Sequence, residues 1–426
     1  MDTLWDMFKR ILVLLAAAAV GIAAYEGSMR LAASFSLFPN RDLDRSSNYV
    51  REVLKIVHEN YVDGDASKYD ALARLSIHGM VESLDPHSEF LESKDNEELE
   101  EDLDGEYGGI GVEVEMRKGV FTVVEPIPGS PGDRAGIVLG DQIVSIDGKS
   151  VLQGTPMDAV VNRLRGKPRT HVKVELVRPA NGRHLNLDLV REVIKVVSVR
   201  GAKVIDGNTG YIQIREFSDH TGEQFIDALN GLLKRGVDSL VIDLRNNPGG
   251  LLEAAVAVAE PFFKKDELIV YTQGRSSEDR ENYLSETEGS PLAIPVAVLI
   301  NGDTASAAEI VAGALKDAGR AVIVGERSYG KGSVQSIFKL KNGEGLRLTT
   351  AHYFTPSGVM IHGKGVSPHV EVVLSTEDDR KIESQLSRPD VTDPTDFSER
   401  FGFRPIGDRQ LEAALDVLRV SRLIER

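Results

Sequence analysis

The chain has 426 residues, too many for one ordinary core, and the usual domain size predicts roughly two to four domains. Hydrophobic residues make up 41% and charged residues 27%, which is the composition of folded, soluble material and excludes wholesale disorder. A net charge of −16 opposes attraction to nucleic acid or to an anionic membrane surface, and the absence of cysteine excludes disulfides, thiolate metal sites and a cysteine nucleophile.

In chain order, Lys9 and Arg10 precede the uncharged run "ILVLLAAAAVGIAAY" at 11–25. A run of about 15 residues suits the h-region of an export signal better than a membrane span, which needs about 20. Residues 1–28 are therefore expected to be a signal peptide or an N-terminal membrane anchor. Residues 40–97 are expected to be helical. "SNYVREVLKIVHENYV" puts Val50, Val53, Leu54, Val57 and Tyr61 on one face. "YDALARLSIHGMVESL" repeats the spacing with Leu72, Leu75, Ile77 and Met80 before Asp85-Pro86 ends it. Such a pair cannot bury its apolar faces alone, which predicts a homodimer formed through this segment. The acidic run "SKDNEELEEDLDGE" reads as a solvated helix and linker without a chemical role.

Residues 98–190 change to short alternating strands. "IGVEVEM" and "VFTVVEPI" flank a turn at Lys118-Gly119, and "GSPGDRAGIVLGDQIVSIDGKSV", a helix "PMDAVVNRLRG" and a strand "HVKVELVRP" follow. With "YGGIGV" ahead of the first strand, this order resembles a PDZ domain. The resemblance implies that Tyr107, Gly108, Gly109, Ile110 and Gly111 form a loop whose backbone N–H groups receive a peptide's terminal carboxylate.

Across 191–375 strands and helices alternate, which argues for an α/β core. "VDSLVIDLR" is a buried strand ending in the turn "NNPGG", and "IPVAVLIN" leads through "GDTAS" into the helix "AAEIVAGALKDAG". The tail, 376–426, is charged and dotted with proline, and its closing helix "DRQLEAALDVLRVSRLI" should dock on the core.

Ser306 stands where a strand turns into a helix, so its hydroxyl lies at a helix N-terminus that favours negative charge. By position alone such a serine is more often a helix cap than a nucleophile. Among nine histidines no base for it is evident: His87, His352 and His362 read as structural, and neither His-Glu-x-x-His nor Gly-x-Ser-x-Gly is present. "GERSYGKGS", 325–333, nearly forms a phosphate loop, but Gly332 displaces the required hydroxyl to Ser333. A lysine among glycines can instead serve a serine as base when burial keeps it neutral, although a solvated loop lysine is the commoner case. That reading makes Lys331 the base, with the N–H of Gly249 or Gly250 beside that of Ala307 as an oxyanion hole.

Four segments, "VIDLRNNPGGLLEAAVAVAEPF", "VAVLINGDTASAAEIVAGALKD", "VGERSYGKGSVQSIFKL" and "LRLTTAHYFTPSG", together resemble the C-terminal processing peptidases, or tail-specific proteases, and the match runs from about residue 49 to 373. The resemblance implies an α+β / α/β multidomain chain: helical segment, PDZ domain, and a crotonase-like (ClpP/crotonase) αβ protease core. It assigns Ser306 as nucleophile, Lys331 as base and Gln335 as an accessory residue bonded to the amine. The activity implied is ATP-independent serine endopeptidase cleavage of polypeptides near their free C-termini, in the bacterial periplasm or at the outer face of the inner membrane, without metal, nucleotide or other cofactor. His352 and His369 stand where the family pattern has arginine and aspartate. A non-catalytic PDZ adaptor on a protease-like scaffold is the alternative, and it would predict a broken dyad.

Overall fold

The computed structural model describes residues 41–117, 119–151, 154–179, 181–340, 342–387, 391 and 393–424. The expected signal or anchor at 1–28 and Lys118 of the first expected turn lie outside the described residues. Contacts divide the chain between Leu84 and Asp85.

The first unit holds α1 (Arg41–Asn60) and α2 (Tyr69–Glu82). Its apolar stripes are present as the periodicity requires, yet no residue of α1 is buried and Val50, Val53 and Ile56 are exposed. The His58 ring packs on Tyr69, with centroids 4.1 Å apart, and its Nδ1 bonds the Ser67 carbonyl at 2.7 Å.

The second unit begins with β1 (Glu89–Leu91), α3 (Ser93–Asp104) and β2 (Glu106–Gly109). Next come β3 (Val112–Arg117), β4 (Val120–Pro126), α4 (Pro131–Arg134), β5 (Gln142–Ile146) and β6 (Lys149–Ser150). Helix α5 (Met157–Leu164) and the hairpin of β7 (His171–Arg178) and β8 (Arg183–Val190) follow. Strands β3-β4-β5-β7-β8 form one antiparallel sheet with β6 against β5. Alternate residues Val172, Val174 and Leu176 of β7 point inward onto Phe121, Val123 and Ile143, and Val160 and Leu164 of α5 close this core. Each such side chain contributes about 1.5–3 kcal/mol on burial. Strand β8 continues the sheet past the expected last strand.

The chain leaves through β9 (Glu192–Lys195), which pairs with β2. The core that follows contains β10 (Val199–Ile205), β11 (Thr209–Ile214), α6 (Thr221–Lys234), β12 (Ser239–Asp243) and α7 (Leu252–Ala259). It continues with β13 (Leu268–Gln273), β14 (Arg280–Leu284), β15 (Val296–Ile300), α8 (Ala307–Asp317) and β16 (Val322–Gly325). The last strands are β17 (Ser333–Lys339), β18 (Gly345–Phe354) and β19 (Val370–Glu371). Helices α9 (Thr376–Ser387), α10 (Pro394–Phe401) and α11 (Arg409–Ile424) complete the chain. Ala414 and Leu418 of α11 pack on Tyr211, Val241, Ala297, Leu299 and Val324, so the last helix does dock on the core.

The expected crotonase-like αβ core is corrected by these sheets. One has the order β10-β11-β12-β15-β16-β19 and is parallel except for β10, while β1, β13, β14, β17 and β18 form a separate, wholly antiparallel sheet. The reason is local: β13 to β14 and β17 to β18 are joined by short connections, which allow only antiparallel pairing, whereas the helical crossovers α6, α7 and α8 force the parallel one. The result is mixed β-sheets with helices. Among the described residues no helix is long and apolar enough to cross a membrane.

Candidate active site

Three neighbouring parallel strands, β12, β15 and β16, end at the same edge. Each is followed by one of the turns singled out in the sequence: "NNPGG", the start of α8 at Ser306, and the lysine loop. Parallel pairing therefore brings together residues far apart in the chain, at the carboxyl edge where α/β sheets collect ligands.

Ser306 has φ 55 and ψ −120. A non-glycine residue in that region carries about 1–3 kcal/mol of strain, so something must hold it. The holder is Glu309, one turn into α8 and 0% exposed. Its carboxylate accepts from Ser306 N–H at 3.0 Å, Gly330 N–H at 2.7 Å, Lys331 N–H at 2.8 Å and the Ser328 hydroxyl at 2.5 Å. One carboxylate thus ties the serine turn to the lysine loop. Burial raises the Glu309 carboxyl above its ordinary range, and these four donors pull against it. The buried Tyr353 hydroxyl adds a second tie, donating to the Ser306 carbonyl at 2.9 Å and lying against the Lys331 carbonyl. Sequence reasoning missed both residues; the signal available was a glutamate three places after a helix-capping serine.

The Lys331 amine makes no hydrogen bond or ion pair among the described residues. Loss of water lowers its pKa most, the Arg347 charge lowers it further, and Asp85 and Glu309 pull the other way. Gln335 does not touch the amine: its Nε2 donates to Ser333 Oγ at 2.9 Å and to Thr349 Oγ1 at 3.3 Å. Thr349 in turn donates to Asp85 at 3.2 Å, and Asp85 also receives Ser88 Oγ and the N–H groups of His87 and Ser88. Those hydrogen bonds outweigh burial and leave the Asp85 carboxyl below its ordinary value. The His352 and His362 rings lie tilted against each other at 41°, centroids 4.6 Å apart, each with a buried Nδ1 that has no partner among the described residues. Glycine is required at 332, where a Cβ would stand 2.2 Å from the His362 backbone nitrogen. Among the described residues no cluster of His, Asp or Glu could hold a metal ion.

The "NNPGG" turn lies against the serine. A Cβ on Gly249 (φ 102) would stand 2.5 Å from Ser306 Cβ and 2.9 Å from Ala307 N. Gly249 N–H already donates to Asn247 Oδ1 at 2.8 Å. Among the described residues the N–H groups of Gly250 and Ala307 donate to nothing, which narrows the pair available to an oxyanion.

The glycine loop borders a cavity of about 360 Å³. Tyr107, Gly109, Ile110 and Gly111 line it, together with Met157, Val161 and Leu164 of α5. Gly108 does not; its glycine is a packing requirement, since a Cβ would meet Gly166 O at 2.1 Å. The N–H groups of Ile110 and Gly111 find no acceptor among the described residues. Asp102, from the acidic run read as mere linker, also lines the cavity, as do Val196, Arg200 and Glu216 of the core.

The family model described as peptidase family S41 matches residues 208–372, and the PDZ domain model matches residues 122–178. The S41 match covers most of the core and replaces the crotonase-like description of it. A carboxy-terminal-processing protease of Bartonella bacilliformis is 40% identical over 301 residues, 70% of this chain and 68% of that protein. Carboxy-terminal processing protease CtpB of Bacillus subtilis is 34% identical over 333 residues, 77% of this chain and 68% of that protein. The solved photosystem II D1 C-terminal processing protease is 31% identical, with a TM-score of 0.44 over 76% of this chain and 92% of its own.

The Glu309 tie generates a stability prediction. Glu309→Gln keeps the shape but aims an NH₂ group at donors, and should cost about 2–4 kcal/mol in chemical denaturation. An unchanged denaturation midpoint would show that the carboxylate does not hold the two turns together.

Proposed function

Because this chain belongs to peptidase family S41 and is a serine endopeptidase of the C-terminal processing protease kind with a PDZ domain, we propose that Ser306 is its nucleophile and Lys331 its general base. The observation that carries this is the unpaired, half-buried Lys331 amine on a loop bonded through Glu309 to the turn of Ser306. Neutral Lys331 takes the proton of Ser306 Oγ as the oxygen attacks a peptide carbonyl. The N–H groups of Gly250 and Ala307 receive the developing oxyanion, Gly249 supplying the space. Lys331 then gives its proton to the leaving amine, and water, deprotonated by the same lysine, releases the acyl group. Gln335 is an accessory whose carbonyl oxygen remains for the lysine, its amide nitrogen being held by Ser333 and Thr349. Water supplies the hydroxyl of the new carboxyl group and returns a proton to Ser306 through Lys331, so the protons balance, and the hydrolysis is exergonic without ATP.

Substrates are polypeptides with free C-termini. The terminal carboxylate sits on the N–H groups of Ile110 and Gly111, and the last side chain, apolar, enters between Ile110 and the α5 residues Val161 and Leu164. Export to the bacterial periplasm or the outer face of the inner membrane, and a homodimer through the exposed stripes of α1 and α2, complete the reading. The domain limits proposed are 40–97, 98–190, 191–375 and 376–426.

Ser306→Ala and Lys331→Ala should each abolish cleavage of an unfolded, tail-bearing polypeptide while leaving the melting curve cooperative, with Gln335→Ala milder. Full turnover by a folded Lys331→Ala variant would overturn the dyad, and the non-catalytic adaptor reading would gain if the parent chain cleaved nothing.

Glu216, which lines the cavity, is next to Phe217, whose N–H donates to the Gly249 carbonyl and whose carbonyl accepts from Leu251 N–H. This adjacency supports the reading that a peptide in the PDZ groove shifts the arrangement of the oxyanion turn. A non-cleavable peptide with a free C-terminus should accelerate hydrolysis of a short reporter that has no PDZ ligand. Simple competition, or no effect, would mean that the groove only tethers substrate.

A further inference from the structure

The guanidinium of Arg245 is 1% exposed and lies beneath the "NNPGG" turn. Asp243, on the same strand end, supplies one carboxylate: Arg245 Nη2 donates to Asp243 Oδ2 at 2.6 Å and Nε to Oδ1 at 3.0 Å. Asp243 also accepts the Tyr211 hydroxyl at 2.7 Å and Arg245 N–H at 3.1 Å, so its oxygens are already crowded. The second carboxylate comes from the tail. Arg245 Nη1 donates to Asp408 Oδ1 at 3.0 Å and Nη2 to Asp408 Oδ2 at 2.8 Å, the parallel two-bond geometry that suits arginine. Gln410 Oε1 accepts from Nη1 at 3.1 Å while its Nε2 donates to the Val372 carbonyl at 2.8 Å. Burial works against the Arg245 charge, but Asp243 and Asp408 outweigh it and hold the guanidinium well above its ordinary value.

We propose that Asp408 is a positioning residue for peptide hydrolysis, acting through Arg245 on the turn that presents Gly250 N–H. The inference rests on the assignment of Ser306, Lys331 and Gly250 given above. The S41 model ends at residue 372, so Asp408 lies in a part of the chain beyond that match.

The turn needs such an anchor. Asn246, Gly249 and Gly250 have φ values of 58, 102 and 138, and the turn is stitched to the serine side by Asn246 and Asn301, which bond each other in both directions. Ala305 N–H donates to the Asn247 carbonyl at 2.9 Å. Arg245 is the residue immediately before this stitched stretch. Without Asp408 its Nη1 and one side of Nη2 would be buried and short of acceptors, and the guanidinium would move toward water. The backbone that follows moves with it, taking Gly250 N–H away from the position where the oxyanion forms.

Helix α11, which begins directly after Asp408, has two ion pairs of its own with the core, far along the helix from Asp408: Arg419 with Asp206 and Arg422 with Asp238, both at 2.9 Å. They separate loosening of the tail from misplacement of the turn. In the full-length protein, with a short reporter that bypasses the PDZ groove, Asp408→Ala should lower kcat roughly tenfold or more with KM within about twofold. Asp408→Glu should recover part of the loss. The double variant Arg419→Ala, Arg422→Ala should lower the melting temperature but retain the parent kcat. Should Asp408→Ala fail to fold, Asp408→Asn, which keeps the shape and one acceptor, decides the question by the same kcat and KM split. A kcat within about twofold of the parent in the folded Asp408 variant, or an equal loss in the double variant, would overturn the proposal. Ser306→Ala run alongside keeps the two readings apart: residual cleavage there would condemn the dyad, whereas its loss together with an indifferent Asp408 would condemn only the positioning role.

Discussion

A single buried carboxylate organises the site. Glu309 is fully removed from water, and a lone ionised group in that position would cost several kcal/mol. Three backbone N–H groups and one hydroxyl offset that cost, and they come from the two segments that must meet: the turn of Ser306 and the loop of Lys331. Neither segment can shift without stranding donors on the other. The strained backbone of Ser306 is the local expense of this arrangement, and Tyr353, reaching the carbonyls of both Ser306 and Lys331, braces it from the opposite side.

The rest of the core can be understood as support for that junction. Parallel pairing of β12, β15 and β16 delivers three turns to one edge, and glycines at 249 and 332 let backbone approach where a Cβ would collide. Arg245, caged by Asp243 and Asp408, immediately precedes the "NNPGG" turn, and Phe217 bonds that turn through the Gly249 carbonyl and the Leu251 N–H. The turn is therefore tied to the tail through Arg245, to the segment before Ser306 through Asn301 and Ala305, and to Phe217.

Much of this was legible in the sequence because it is local. The buried strands around "VIDLR" and "VAVLI", the helix after Ser306 and the glycine loops announce themselves through periodicity and turn residues. What was not legible depends on pairing across the chain. In the antiparallel sheet of β1, β13, β14, β17 and β18 the two short hairpin connections are local, but the pairing of β1 and of β13 with β18, the former across more than 200 residues, has no local signal. Glu309 looked like an ordinary residue in a helix, Asp102 like linker, and Asp408 like a tail charge. Sequence alone cannot rank Gly249 against Gly250 as a candidate oxyanion donor, because the bond from Gly249 N–H to Asn247 Oδ1 depends on the folded turn. His352 and His362, unremarkable as strand and turn residues, have their rings in tilted contact, and the His362 backbone lies against Gly332 of the lysine loop.

Lys331 can act as the proposed base only in its neutral form. Burial and Arg347 disfavour its ammonium form more than Asp85 and Glu309 favour it. The direct measurement is the titration of Lys331 Nζ by NMR in the ¹⁵N-lysine-labelled protein, assigned by its disappearance in Lys331→Arg. The midpoint should lie below the ordinary lysine value of about 10.4 and rise in Arg347→Gln, where a charge opposing protonation has been removed. A midpoint at or above the ordinary value in the parent protein would contradict the assignment of Lys331 as the base.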